Sequence, residues 1–206
     1  MENHNQQSQK FNFKKFIEDS KATLFSPKDY FSKMPVSGGF GEPIIKVLIY
    51  GVIFSLFEFL WIQLGIKNLP DEILLEGGTG VMVMVLAGRV VTSLIGLFIG
   101  SAIVLVFSMV LSGNKDFEAC VRVVASLMII SVVSSAFSFL SGVNYYLSLI
   151  ISIAISLWGL YLLYNALAYA LKATEKGSRI LTIILAVLLF LVIVLTALFF
   201  IDTLLN

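Results

Sequence analysis

Apolar residues run through the chain in five long blocks separated by polar breaks, covering residues 44–66, 81–111, 119–141, 147–171 and 180–201. A bilayer core about 30 Å thick takes roughly 20 apolar residues per helix, so each block predicts one transmembrane span. The breaks at 112–118, 142–146 and 172–179 hold no more than eight residues, which forces consecutive spans to run antiparallel and side by side. The expected fold class is an all-α integral membrane protein: five transmembrane helices with an amphipathic N-terminal segment. Residues 1–43 form a cytoplasmic arm and residues 44–206 the membrane domain.

The second block is too long for one perpendicular helix. Counting back about 20 residues from Leu111 reaches Thr92, which leaves a surplus at 81–91. Gly77, Gly78 and Gly80 precede that surplus and predict a hinge. A tilted helix and a strip along the outer interface both fit, and the tilted helix is preferred because long spans commonly tilt.

The arm has a different pattern. Its first nine residues are polar and read as disordered. From Phe11 onward, Phe13, Phe16, Ile17 and Leu24 share a helical face, with Lys14, Lys15, Glu18, Asp19 and Lys21 largely elsewhere. Ser26-Pro27-Lys28-Asp29 reads as a second helix start: Ser26 as cap, Pro27 in the first turn, Asp29 at the positive end. Tyr30, Phe31 and Met34 then face one way before Pro35 ends the segment. Aromatic residues interleaved with lysines suit a membrane-surface helix. A helix packed under the bundle with solvated lysines is the equal alternative. In both, Phe13, Phe16 and Ile17 are expected to be shielded while Lys14 and Lys21 reach water.

Composition narrows the function classes. The chain is 58% apolar and 13% charged, against roughly 25% charged for a soluble domain, which excludes a soluble globule and a nucleic-acid binder. A net charge of +1 offers no bulk field to a polyanion. The single cysteine, Cys120, excludes an intramolecular disulfide, and the single histidine, His4, excludes a His-rich metal site. With the N-terminus inside, 12 of the 14 basic residues fall on the inner side, and only Lys67 and Arg89 lie outside, near Asp71, Glu72 and Glu76. The positive-inside rule therefore predicts a cytoplasmic N-terminus and an external C-terminus, and Trp61, Tyr145 and Tyr146 fit an outer aromatic belt.

Candidate chemistry is sparse. Gly88, Thr92, Gly96 and Gly100 make a small-residue stripe, and Ser131, Ser134, Ser135 and Ser138 repeat at helical spacing, echoed by Ser148, Ser152 and Ser156. Such stripes permit close helix packing, with a polar path as the minority reading. The last block lacks a stripe and is expected to be peripheral. Glu58 lies inside the first span and Arg89 near the outer end of the second, and the expectation is an intramembrane ion pair. Lys46 and Arg122 are read as rim anchors that snorkel, with Glu118 four residues before Arg122 in the favourable order. Asn165 with Tyr161 and Tyr164 suggests a small buried polar cluster, and Cys120 reads as a buried, inert thiol. No phosphate loop, zinc helix or nucleophile elbow is present in the sequence, so neither catalysis nor a cofactor or metal is expected.

Two stretches carry a resemblance. Ser26-Pro27-Lys28-Asp29-Tyr30-Phe31, followed by Gly38-Gly39-Phe40-Gly41-Glu42-Pro43, resembles the Yip family of Ypt/Rab-interacting membrane proteins, in particular its compact prokaryotic branch. Phe117-Glu118-Ala119-Cys120-Val121-Arg122 and Trp158 extend the likeness, which covers residues 26–201. It implies five spans and a cytoplasmic N-terminal region; the eukaryotic members are implicated in membrane traffic and bind lipidated small GTPases, whereas for the prokaryotic branch the likeness implies topology more than activity. The D-L-Y-G-P type signature of the eukaryotic members is absent.

The expected function is that of a non-catalytic polytopic protein that organises or recruits partners at the cytoplasmic face. Phe13, Lys14, Phe16, Ile17, Lys21, Tyr30 and Phe31 form the partner or membrane-surface arm. The expected partners are the lipid bilayer and a membrane or cytoplasmic protein, with a second copy of the chain as a further candidate and no nucleic acid. The location is the bacterial cytoplasmic membrane, with a Golgi or ER membrane as the alternative. A small permease or oligomeric channel is the rival function.

Overall fold

The computed structural model describes the backbone of residues 11–66 and 71–205, and side chains at 11–66, 80, 84 and 87–195. The polar tail with His4, and the side chains of Lys67, Asp71, Glu72 and Glu76, lie outside the described residues. Helix α1 (Phe13–Phe25) starts where the Asn12 side chain accepts the Lys15 N–H at 3.1 Å, an N-cap that satisfies a first-turn donor. Helix α2 (Pro27–Lys33) has its proline in the first turn as expected. Ser26 does not cap it with its side chain; its backbone N–H instead closes the end of α1 on Ala22 O at 2.8 Å. Met34 turns extended ahead of Pro35, and α2 ends there.

Five helical runs are long and apolar enough to cross a membrane. The first is α3 (Gly41–Gln63) and the second lies in α4 (Asp71–Val110). The third is divided into α5 (Phe117–Leu127), α6 (Ile129–Phe137) and the short α7 (Leu140–Val143). The fourth, α8 (Tyr145–Asn165), runs on through a π turn at Ala166–Ala170, and the fifth is α9 (Glu175–Leu205).

Two expectations about the spans need correcting. Gly77, Gly78 and Gly80 do not make a hinge: α4 is one continuous helix of 40 residues, about 60 Å long at 1.5 Å per residue. Once nucleated, a helix propagates favourably enough to absorb scattered glycines. The third span, in turn, is not one regular helix. Ser131 directs both its N–H and its hydroxyl at Met128 O, at 3.1 and 2.6 Å. Ser138 does the same at Ser135 O, at 3.2 and 2.8 Å. These three-residue bonds tighten the turn where α5 passes into α6 and where α6 ends.

The core lies at the arm end of the bundle, around α5. Ala119, Cys120, Val121 and Val123 are fully buried there against Val47 of α3, Leu97 of α4 and Leu167 of the π turn. Phe31 of α2 is inserted into the same core with 1% exposure, so the arm is part of the fold and not a tether. The last span is peripheral. Ile183, Val187, Phe190, Leu191 and Leu195 of α9 are all exposed, an apolar face suited to a membrane interior.

Candidate functional site

Two cations that the sequence placed at the rim are buried. Lys46 and Arg122 each keep only 6% exposure, and neither snorkels. Each follows an acidic residue by four positions at the start of a span, Glu42 before Lys46 and Glu118 before Arg122. The local pairing holds for only one of them. Arg122 Nε meets Glu118 at 3.2 Å, as expected, and Arg122 Nη1 reaches across to Glu42 at 3.1 Å. Lys46 is therefore left to the arm: it lies 4.0 Å from Asp19 of α1 and donates to Tyr30 of α2 at 3.2 Å and Ser126 of α5 at 3.4 Å.

The linker between α2 and α3 closes this cluster. Gly39 donates its N–H to Glu118 at 2.6 Å and accepts from Arg122 Nη2 at 2.9 Å. Gly38 and Gly39 have φ of +128° and +85°, and a Cβ on Gly38 would meet Arg122 Nη2 at 2.9 Å, so this turn needs glycine. Tyr30 and Ser126 hydroxyls share a bond of 2.8 Å. Burial pushes the Asp19 carboxyl above its ordinary pKa, opposed by the nearby Lys46 charge. Between these groups is a cavity of about 20 Å³ lined by Asp19, Tyr30, Glu42, Lys46, Arg122 and Ser126, enough for about one water. The arrangement ties α1, α2, α3 and α5 into one electrostatic latch. Among the described residues no group of three acidic, His or Cys side chains could hold a metal ion.

A family model for the Yip1 domain matches residues 21–198. The chain belongs to the Yip1 domain family. The match begins inside α1 and runs into α9, so it takes in all five spans and every residue of the latch except Asp19. No curated protein and no solved structure matches the chain. This Yip1-domain chain is thus a polytopic membrane protein, of a family not known as enzymatic.

The other candidate residues are distributed differently from the expectation. Glu58 and Arg89 are not brought together. Glu58 accepts from Ser138 at 3.1 Å, while Arg89 lies over the Phe54 ring at 5.9 Å, one turn earlier on α3. Of the glycine stripe, only Gly100 makes a close approach, its Cβ direction 3.2 Å from Val124 of α5. Gly96 is at 4.0 Å from Met128, Gly88 faces open space, and Thr92 bonds its own helix at Gly88 O. The buried stripe of α4 is Leu97, Ser101, Val104 and Ser108, and a Cβ on Gly51 of α3 would lie 3.2 Å from the Ser93 hydroxyl of α4.

In the serine stripe Ser135 is buried and bonds its own backbone at Val132 O, whereas Ser134 is exposed. Trp61 donates its indole N–H to Ser135 O at 2.8 Å, tying α3 to α6. Asn165 is 2% exposed and donates to Tyr161 O at 2.7 Å immediately before the π turn. On the arm, Phe16 is buried against Tyr50 with ring centroids 5.2 Å apart, and Lys14 and Lys21 are exposed as expected. Phe13 and Ile17 depart from the expected shielding, at 60% and 39% exposure. The inward face of α1 is Phe16, Ser20 and Thr23, one step round from the apolar face read in the sequence.

Proposed function

We propose that this Yip1-domain protein is a non-catalytic organiser that recruits a protein partner at the cytoplasmic face of its membrane through the α1–α2 arm. The carrying observation is that the arm is fixed, by Phe31 in the core and Asp19 on Lys46, yet leaves Phe13 beside Lys14 at one end of α1 and Phe25 at the other 60% and 81% exposed. A pre-ordered aromatic surface loses little entropy on binding. The inner side is taken from the basic-residue bias of the sequence. A photo-crosslinker at position 25 in native membranes is expected to capture a discrete protein adduct. Adducts to lipid alone overturn the reading.

Transport is favoured by one observation, the carboxylate of Glu58 set within the first span on the Ser138 hydroxyl. Purified protein in liposomes decides between the two. An organiser gives no ion or solute flux above that of empty vesicles, and flux lost in Glu58→Gln establishes transport.

A further inference from the structure

A second cavity, apolar and about 180 Å³, opens between α1 and the membrane spans. Its walls include Ile17, Lys21 and Leu24 of α1, Ile53 of α3, and Ile129 and Val132 of α6. The Ser20 and Tyr50 hydroxyls that flank it bond each other at 2.8 Å, so they present no unmet polar group to its interior. Apolar cavities of about 150 Å³ stay dry and take up hydrocarbon, so water is a poor occupant.

The groove surface is apolar throughout, and Lys21 lines it with the hydrocarbon stem of its side chain. Lys21 is exposed and has no carboxylate partner among the described residues; Glu18, on the same helix, is at 4.0 Å from Lys14. On α3 the wall continues from Tyr50 to Ile53, about 4.5 Å further along the span. On α6 it continues from Ile129 to Val132 in the same way. An exposed ammonium, unpaired among the described residues, whose stem lines an apolar slot one turn deep against two transmembrane helices matches an anionic headgroup joined to an acyl chain. We propose that this groove binds one anionic phospholipid, with a segment of one acyl chain between α1 and α3/α6 and its phosphate on Lys21. The ligand fills a gap beneath α1 and so clips the arm to the bundle in addition to the ionic latch.

Full-length protein in detergent, given equal phosphatidylglycerol and phosphatidylcholine, is tested by native mass spectrometry. One phosphatidylglycerol is expected to be retained in preference to phosphatidylcholine. Lys21→Gln is expected to lower that preference about fivefold, the ratio expected for one lysine at an anionic surface. Val132→Trp, which fills the slot, is expected to abolish retention of both lipids. Lys176→Gln, at an exposed lysine on α9, is expected to leave the preference intact. Equal retention of the two lipids, or an equal loss in Lys21→Gln and Lys176→Gln, overturns the proposal. Because Lys21 is exposed, its variant remains decisive even if Val132→Trp fails to fold.

Discussion

Arg122 holds Glu118, Glu42 and Gly39 O at once. Removing the charge strands two carboxylates beside a buried gap. Arg122→Gln is expected to destabilise the protein by about 3–5 kcal/mol, read from unfolding in detergent. Arg122→Lys should recover only part of that, because an ammonium cannot present the guanidinium fork. Asp19 behaves in the opposite sense to a salt-bridged surface acid. Its folded pKa is raised by burial, so the folded state holds a proton that the unfolded chain releases. Stability from this group is full below the ordinary carboxylate range and is lost as pH rises through the raised value. Asp19→Asn is therefore expected to flatten the fall in stability across that window. A wild-type melting temperature that rises through it, and does so less in the variant, contradicts the assignment.

At the scale of elements, helix contacts depend on where small residues fall around the helix and not on their repeat alone. Gly100→Leu drives a side chain into Val124, already 3.2 Å from the Cβ position, and is expected to cost about 1–3 kcal/mol. Gly88→Ala meets open space and is expected to be neutral or to stabilise α4 by up to about 1 kcal/mol. Equal losses at both positions would mean that the whole stripe packs. Ser131, Ser135 and Ser138 each bond their own backbone, and in the tightened segment Ser138 also donates to Glu58 while Ser135 O accepts from Trp61.

Among the described residues of the whole molecule, the packed centre is displaced toward the arm. Tyr145 and Tyr146, 61% and 75% exposed, stand at the end remote from the arm. The arrangement predicts labelling from opposite sides of the membrane. In a Cys120→Ala background, Tyr146→Cys should react with an impermeant maleimide in intact cells, and Lys14→Cys only after permeabilisation. The reverse pattern would invert the orientation and place the arm outside.

Five apolar blocks, their short connections and the proline start of α2 were legible because span length and turn chemistry are one-dimensional properties. So was the Glu118–Arg122 pair, which four-residue spacing puts on one helix face. The latch was not, although its trace exists in the repeated acid-to-base spacing of Glu42–Lys46 and Glu118–Arg122. Local spacing predicts two pairs within helices; the fold crosses them, because α3 and α5 pack closely enough for Glu42 to reach Arg122. Asp19 then meets Lys46 only because Phe31 anchors α2 in the core and sets α1 beside α3. The sequence by itself determined which segments leave water, since that depends on summed transfer free energy along the chain. Only the tertiary structure decided which face of each helix is inside and which charges are partnered, since those depend on rotation and approach between helices far apart in sequence.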